Sequence, residues 1–102
     1  MLKKIENGLV AVLYSPGFGA GWYSWHEIRE LLFDPKVVDM VLSETSAGTI
    51  ELYCKEVYGD GYYGGAEDLE VVWVPSGYEF IIDEYDGAET IKLKDEVGWI
   101  TA

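Results

Sequence analysis

Apolar and polar positions recur along this chain with two different periods, and the switches between them mark its elements. Leu2 to Glu6, Asn7-Gly8 and Leu9 to Tyr14 read as a strand entered through a tight turn, with a short hairpin as the alternative. In the second run Val10, Val12 and Tyr14 fall on one side and Leu9, Ala11 and Leu13 on the other. Both sets are apolar, which predicts a central strand covered on both faces.

Helical spacing takes over after a glycine-rich turn. Ser24 stands three residues before Glu27, the spacing of a capping box, and predicts a helix from about Trp25 to Phe33 with Ile28, Leu31 and Leu32 on its buried stripe. Asp34-Pro35 places an N-cap aspartate before a proline at the first helical position. A second helix is therefore expected from Pro35 to about Leu42, burying Val37, Val38 and Val41, with Met40 at the margin of that face. Thr45 or Ser46 caps a third, from Ala47 to Tyr58, with Ile50, Tyr53, Cys54 and Val57 along one stripe and Gly59 as its stop.

Period two then returns. Leu69 to Val74 is rich in β-branched residues, Pro75-Ser-Gly77 turns the chain, and Tyr78 to Tyr85 alternates as far as Asp86-Gly87, a strong hairpin signal. A two-residue loop there pairs Tyr85 with Ala88, Glu84 with Glu89, Asp83 with Thr90, Ile82 with Ile91, Ile81 with Lys92 and Phe80 with Leu93. This register turns Phe80, Ile82, Ile91 and Leu93 inward. It also sets Glu84 opposite Glu89, with Asp83 and Asp86 close by. Like charges facing each other destabilise a hairpin by a few tenths to about 1 kcal/mol, which fold stability alone does not explain. The acids read as a solvated tip where screening absorbs most of that cost, as a site for a partner's basic patch, or as a divalent-cation site. Asp95-Glu96-Val-Gly98 reads as a last turn and Trp99 to Ala102 as a short closing strand. The 102 residues thus predict a single α+β domain over 1–102: an N-terminal strand, three short helices, and a C-terminal antiparallel β-meander packed on the helices.

The stretch Tyr14-Ser-Pro-Gly-Phe-Gly-Ala-Gly-Trp-Tyr-Ser-Trp-His26 stands apart from this pattern. Pro16 and the alternating Gly17, Gly19 and Gly21 choose a backbone path closed to other residues. Phe18, Trp22, Tyr23 and Trp25 bring more apolar surface than a solvent loop carries. The aromatics either fold inward as a lid on the core or form a pocket or partner surface. Backbone amides from Gly19 to Glu27 are placed to hold an anion. The stretch nevertheless lacks the lysine of a phosphate-binding P-loop and the spacing of a dinucleotide fingerprint. A second glycine and tyrosine loop, Asp60 to Asp68, has the same composition; if the two meet, Trp22, Tyr23, Trp25, Tyr58, Tyr62 and Tyr63 share one patch.

Charge narrows the function classes. Nineteen acids against seven Lys and Arg leave a net charge of -12. Residues 1–59 hold eight acids and five bases (-3) and residues 60–102 eleven acids and two bases (-9). Such a field repels nucleic acid and anionic membranes and attracts basic partners, though it also serves solubility. The lone Cys54 forms no internal disulfide, and no signal peptide or membrane-length apolar run stands out, so cytoplasmic residence is expected. Cys54 reads as a small core residue, and His26 in a first helical turn as a neutral imidazole without a partner base. One Cys and one His make no metal site. No nucleophile with a base and no supported carboxylate pair is visible, so neither catalysis nor a cofactor is expected.

The motifs Tyr14-Ser-Pro-Gly-Phe-Gly-Ala-Gly-Trp22, Phe33-Asp-Pro-Lys-Val-Val38, Gly64-Gly-Ala-Glu-Asp-Leu69 and Trp73-Val-Pro75, followed by Glu84-Tyr-Asp-Gly87, resemble small acidic phage-encoded proteins of unassigned function. The resemblance implies a protein that acts in the host cytoplasm by occupying a host protein, in some cases by mimicking the charge of DNA. Two functional readings follow. In the first, the hairpin acids Asp83, Glu84, Asp86 and Glu89 dock on a basic surface of a host protein. In the second, a small ligand such as a nucleotide lies on the glycine loop, held by Gly19 and Gly21 and stacked on Trp22, Tyr23, Trp25 or Tyr62. Both leave the oligomeric state open, a homodimer included.

Overall fold

Strand β2 (Leu9–Tyr14) is the spine of the molecule. A tight turn through Asn7 and Gly8, both at positive φ (51° and 77°), folds β1 (Ile5–Glu6) back on one side of it. On the other side β3 (Glu70–Pro75) pairs antiparallel along its whole length, from Leu9 opposite Pro75 to Tyr14 opposite Glu70. The central, doubly covered strand expected from the two apolar faces is present: Ala11 and Leu13 enter one core, Val10 and Val12 another. The structure, a computed structural model, describes residues 1–94. The expected turn and closing strand over 95–102 lie outside the described residues.

Helices cover the first face. α1 (Tyr23–His26) is a single turn, followed by a 3-10 turn over Arg29–Leu32, then α2 (Pro35–Leu42) and α3 (Ala47–Tyr58). α2 and α3 begin and end where their capping residues place them. Asp34 accepts from the Lys36 and Val37 amides, Ser46 accepts from the Thr49 amide, and Gly59 ends α3 at a φ of 87°. Val37, Val38, Ile50 and Cys54 join Ala11 and Leu13 in the core beneath.

The second face is covered by a separate two-stranded sheet, β4 (Phe80–Tyr85) and β5 (Ala88–Leu93), whose six residue pairs match the expected register from Phe80–Leu93 to Tyr85–Ala88. Phe80, Ile82, Ile91 and Leu93 pack against Val10, Val12 and Val74. The result is an α+β domain of three layers: helices, a three-stranded sheet, and a hairpin.

Three expectations need correction. The helix from Trp25 to Phe33 is broken: Glu27 is left-handed (φ 58°) and Ile28 extended, so one α-helical turn and one 3-10 turn replace it. β3 joins β2 and not β4, so the antiparallel adjacency of the last strands holds only for β4 and β5. The apolar stripe of α3 was placed one residue out at its end: Val57 is exposed, and half-buried Tyr58 turns inward.

Tyr58 turns because Asp34 draws it. While one Asp34 carboxylate oxygen caps α2, the other accepts from the hydroxyls of Tyr53 (2.8 Å) and Tyr58 (2.6 Å). Burial, reinforced by those bonds, pushes the Tyr53 phenol up to about 12 and raises that of Tyr58 as well. One carboxylate therefore joins α2 to α3. Replacing a buried acceptor of this kind strands several donors, so Asp34→Ala should destabilise the domain by roughly 2–4 kcal/mol. Tyr53→Phe, which removes one hydroxyl, should lose no more than about 1.5 kcal/mol. Urea denaturation of the two variants against wild type checks the ranking, and equal losses would refute it.

Candidate functional site

Residues 15 to 24 cannot satisfy their own backbone. Pro16 donates nothing, residues 15–22 are neither helix nor sheet, and Ser24 lies in the first turn of α1 where its amide has no intrahelical partner, so the buried amides of this stretch need partners from elsewhere. The partner comes from the far end of the chain. Glu89 is fully buried, and its carboxylate accepts the amides of Ser15, Trp22 and Ser24, each at 2.9 Å, together with the Ser24 hydroxyl at 2.6 Å. The Glu89 amide in turn donates to the Ser15 carbonyl at 2.8 Å. Four donors replace the water that a buried carboxylate loses, with no cation among them.

This corrects two expectations. The anion held by the loop amides is the chain's own Glu89, so they are not free for a ligand. The capping box does not form either, because the Ser24 hydroxyl is committed to Glu89 and α1 has no side-chain cap. Glu89 consequently leaves the group of acids offered to a partner. Its inward position was legible: two residues before Ile91 and four before Leu93, it lies on the face that the hairpin register turned inward.

The other hairpin acids stay at the surface. Glu84 accepts the Gly87 amide, and Asp83 is paired with Lys92 at 2.9 Å, an ion pair that lowers its pKa. Asp86, in the left-handed conformation (φ 53°) of the turn, accepts the Gly19 amide through its carbonyl at 3.2 Å. Gly87 lies so close over Gly19 that a Cβ would stand 2.6 Å from the Gly19 carbonyl oxygen. The tip of the hairpin and the glycine loop are thus one surface.

The second loop closes on the first from the other side. Gly65 abuts the Gly21 carbonyl, where a Cβ would come within 2.2 Å of its oxygen, so only glycine admits this approach. The aromatics then divide. Trp22 and Tyr63 are buried, their rings 6.2 Å apart, with the Trp22 indole donating to the Leu31 carbonyl and the Tyr63 hydroxyl to the Gly59 carbonyl. Tyr23 is half-buried against the second core. Trp25 (44% exposed) and Tyr62 (54%) pack against each other outside, tilted by 36° with centroids 5.0 Å apart, and Phe18 (76%) and Tyr85 (79%), which precede the bonded Gly19 and Asp86, are exposed. The loop aromatics therefore divide: Trp22 folds inward as expected of a lid on the core, while Trp25 and Phe18 stay exposed. Of the proposed ligand positions, Trp22 offers no stacking face, Gly19 and Gly21 are engaged by backbone, and Trp25 and Tyr62 remain available.

His26 sits beneath this surface, its ring 4.7 Å from Trp22 and 5.8 Å from Tyr63. Nδ1 accepts the Ile28 amide, so the neutral ring carries its proton on Nε2, which is buried without a hydrogen-bond partner among the described residues. Burial pulls its pKa down to about 4. Cys54 is buried in the core with its thiol pushed up to about 12, chiefly by burial, and is protonated at neutral pH. Among the described residues no group of three or more His, Cys, Asp or Glu is placed to hold a metal, and no helix is long and apolar enough to cross a membrane.

Charge sharpens the picture of this end of the molecule. No Lys or Arg occurs between Lys4 and Arg29 or between Lys55 and Lys92, so both loops and the hairpin tip are free of bases. Asp60, Glu67, Asp68, Glu84 and Asp86 are all exposed there. Comparison with protein-family models, curated proteins and solved structures finds no match for this chain.

Two outcomes test the site. Glu89→Gln keeps the shape but points an amide group at backbone donors, and should destabilise the domain by roughly 2–4 kcal/mol, whereas Glu84→Gln should stay within about 1 kcal/mol of wild type in urea denaturation. A similar small loss for both would show that the buried clamp does not hold the loop. Because the folded His26 pKa lies below its unfolded value of 6.5, stability is full above that value and is lost as pH falls toward about 4. The loss should amount to about 1–2 kcal/mol after allowance for the solvent that reaches the ring. Denaturation midpoints of wild type and His26→Phe between about pH 7.5 and about pH 5 check this, since the variant should lack that part of the slope.

Proposed function

We propose that this protein is a binding module that docks on a basic surface of another protein through the end built from residues 16–25, 59–68 and 84–87. The observation that carries the reading is the exposed Trp25–Tyr62 pair, on a backbone clamped by buried Glu89 and in loops whose sequence holds acids and no Lys or Arg. Aromatic side chains presented on a rigid support are favoured anchors at interfaces. Their faces also attract guanidinium and ammonium groups, which the carboxylates of Asp60, Asp68, Glu84 and Asp86 complement.

The docking surface is thus wider than the hairpin acids alone and gains its apolar anchor from the loops. Asp83 contributes less, since Lys92 already neutralises it. The resemblance to small acidic phage-encoded proteins favours a host protein as partner, and a nucleic-acid-binding surface is the natural source of such a basic patch. The reading of residues 15–24 as a nucleotide site is not favoured, because the Glu89 carboxylate holds the amides that a phosphate would need.

Binding should be salt-sensitive. Retention of a partner on immobilised protein should fall steeply between about 50 mM and about 500 mM salt. Asp86→Lys should weaken it mainly by slowing association, and Trp25→Ala mainly by speeding dissociation. Each variant should lose about tenfold or more in affinity, Trp25→Ala while keeping the wild-type denaturation midpoint and Asp86→Lys with about 1 kcal/mol of turn stability lost to its left-handed backbone. Unchanged capture by both variants would remove this end of the molecule from consideration.

A further inference from the structure

The domain has a second surface of opposite character, in the groove where β4 meets the 3-10 turn after α1. Its cavity of about 580 Å³ is lined by Lys3, Tyr23, Arg29, Phe33, Tyr78 and Phe80 among others. This volume suits a small organic ligand. Four of these six residues are aromatic, with Phe33 and Phe80 meeting edge to face at 6.1 Å. The other two are bases, in a chain with only seven.

Neither base has a carboxylate partner among the described residues. Arg29, the only arginine of the chain, makes no ion pair or hydrogen bond among the described residues, and Lys3 stands over the Phe33 ring at 4.6 Å from its centroid without a carboxylate partner. The acid in the groove, Glu79, is taken by Lys94 at 2.8 Å. The other clefts differ. The one between the α2–α3 turn and β3 carries only acids among its charged residues, Glu44, Glu67 and Glu70, and the one over Asp34 has a single base, Lys36, over the Tyr53 ring, with two acids, Glu30 and Asp34. In a protein of net charge -12, this groove sets aromatic walls beside two bases that have no carboxylate partner among the described residues.

We propose that the groove binds a small aromatic anion, a flat ring carrying a phosphate or carboxylate. The ring lies against Phe80 and Tyr78, and the anionic group is held by the Arg29 guanidinium and by the Lys3 ammonium that stands over Phe33. Arg29 supplies the planar fork that matches either oxyanion, and its fixed charge reverses locally the field that would otherwise repel the ligand. The groove shares Tyr23 with the acidic docking end, but its two bases and its anion chemistry do not depend on that reading.

Titration of the full chain by calorimetry and by NMR, with AMP and with indole-3-acetate, tests the proposal against the neutral counterparts adenosine and 3-methylindole. At least one anion should bind about tenfold or more tightly than its neutral counterpart, and its affinity should fall with added salt. A preference for AMP would assign the oxyanion as phosphate, and a preference for indole-3-acetate as carboxylate; either supports the site. Arg29→Glu and Lys3→Glu should each lower that affinity about tenfold, while Arg29→Lys retains part of it. Equal binding of anion and neutral counterpart, binding unchanged by Arg29→Glu, or no binding by either anion overturns the proposal. So do nuclear Overhauser contacts in the free protein from residues 95–102 to Phe80 and Tyr78, which would assign the groove to the chain's own end.

Discussion

A single buried carboxylate with no countercharge holds this fold at its least regular point. The amides of residues 15, 22 and 24 have no repeating partner, and the groups that satisfy them come from Glu89, 74 residues beyond Ser15 in the chain. The bonds also work in the other direction, because a carboxylate carried into a protein interior is tolerated only where several donors surround it. Loop and hairpin are therefore each incomplete without the other. Their docking is fixed further by Gly87 over Gly19 and by the Asp86 carbonyl on the Gly19 amide.

From this clamp follows the division of the aromatic residues. With the loop backbone pinned, Trp22 is carried inside, its indole on the Leu31 carbonyl, and this bond helps to hold Arg29–Leu32 as a tight turn separate from α1. Trp25, three residues later, lands on the outside against Tyr62. Asp34 plays the corresponding part among the helices, with one oxygen on the start of α2 and the other on two hydroxyls of α3. Two acids that composition alone counts toward surface charge are structural members of the interior.

The charges left outside are segregated. The loops and hairpin tip hold acids and exposed rings without bases, while Lys3 and Arg29 lie in the groove beside β4. A net charge of -12 describes neither surface. Long-range attraction follows the total, whereas recognition at contact follows the local set of charges and the walls behind them.

The chain by itself determined those elements whose signals are local. Asn7-Gly8 and Asp86-Gly87 set two hairpins and the register of the second, Asp34-Pro35 and Ser46 started two helices, Gly59 ended one, and the two apolar faces of Leu9–Tyr14 marked the central strand. Each signal acts within a few residues, through allowed φ, a cap or side-chain alternation, so the neighbouring sequence suffices to read it. Tertiary structure alone decided where distant polar groups would meet. It sent β3 to β2, broke the helix after His26 by taking Ser24 for Glu89, and drew Tyr58 toward Asp34. An unpaired loop amide and an inward-facing glutamate are both visible in a sequence, but only the folded chain matches one to the other, because the bond between them exists only once both are buried.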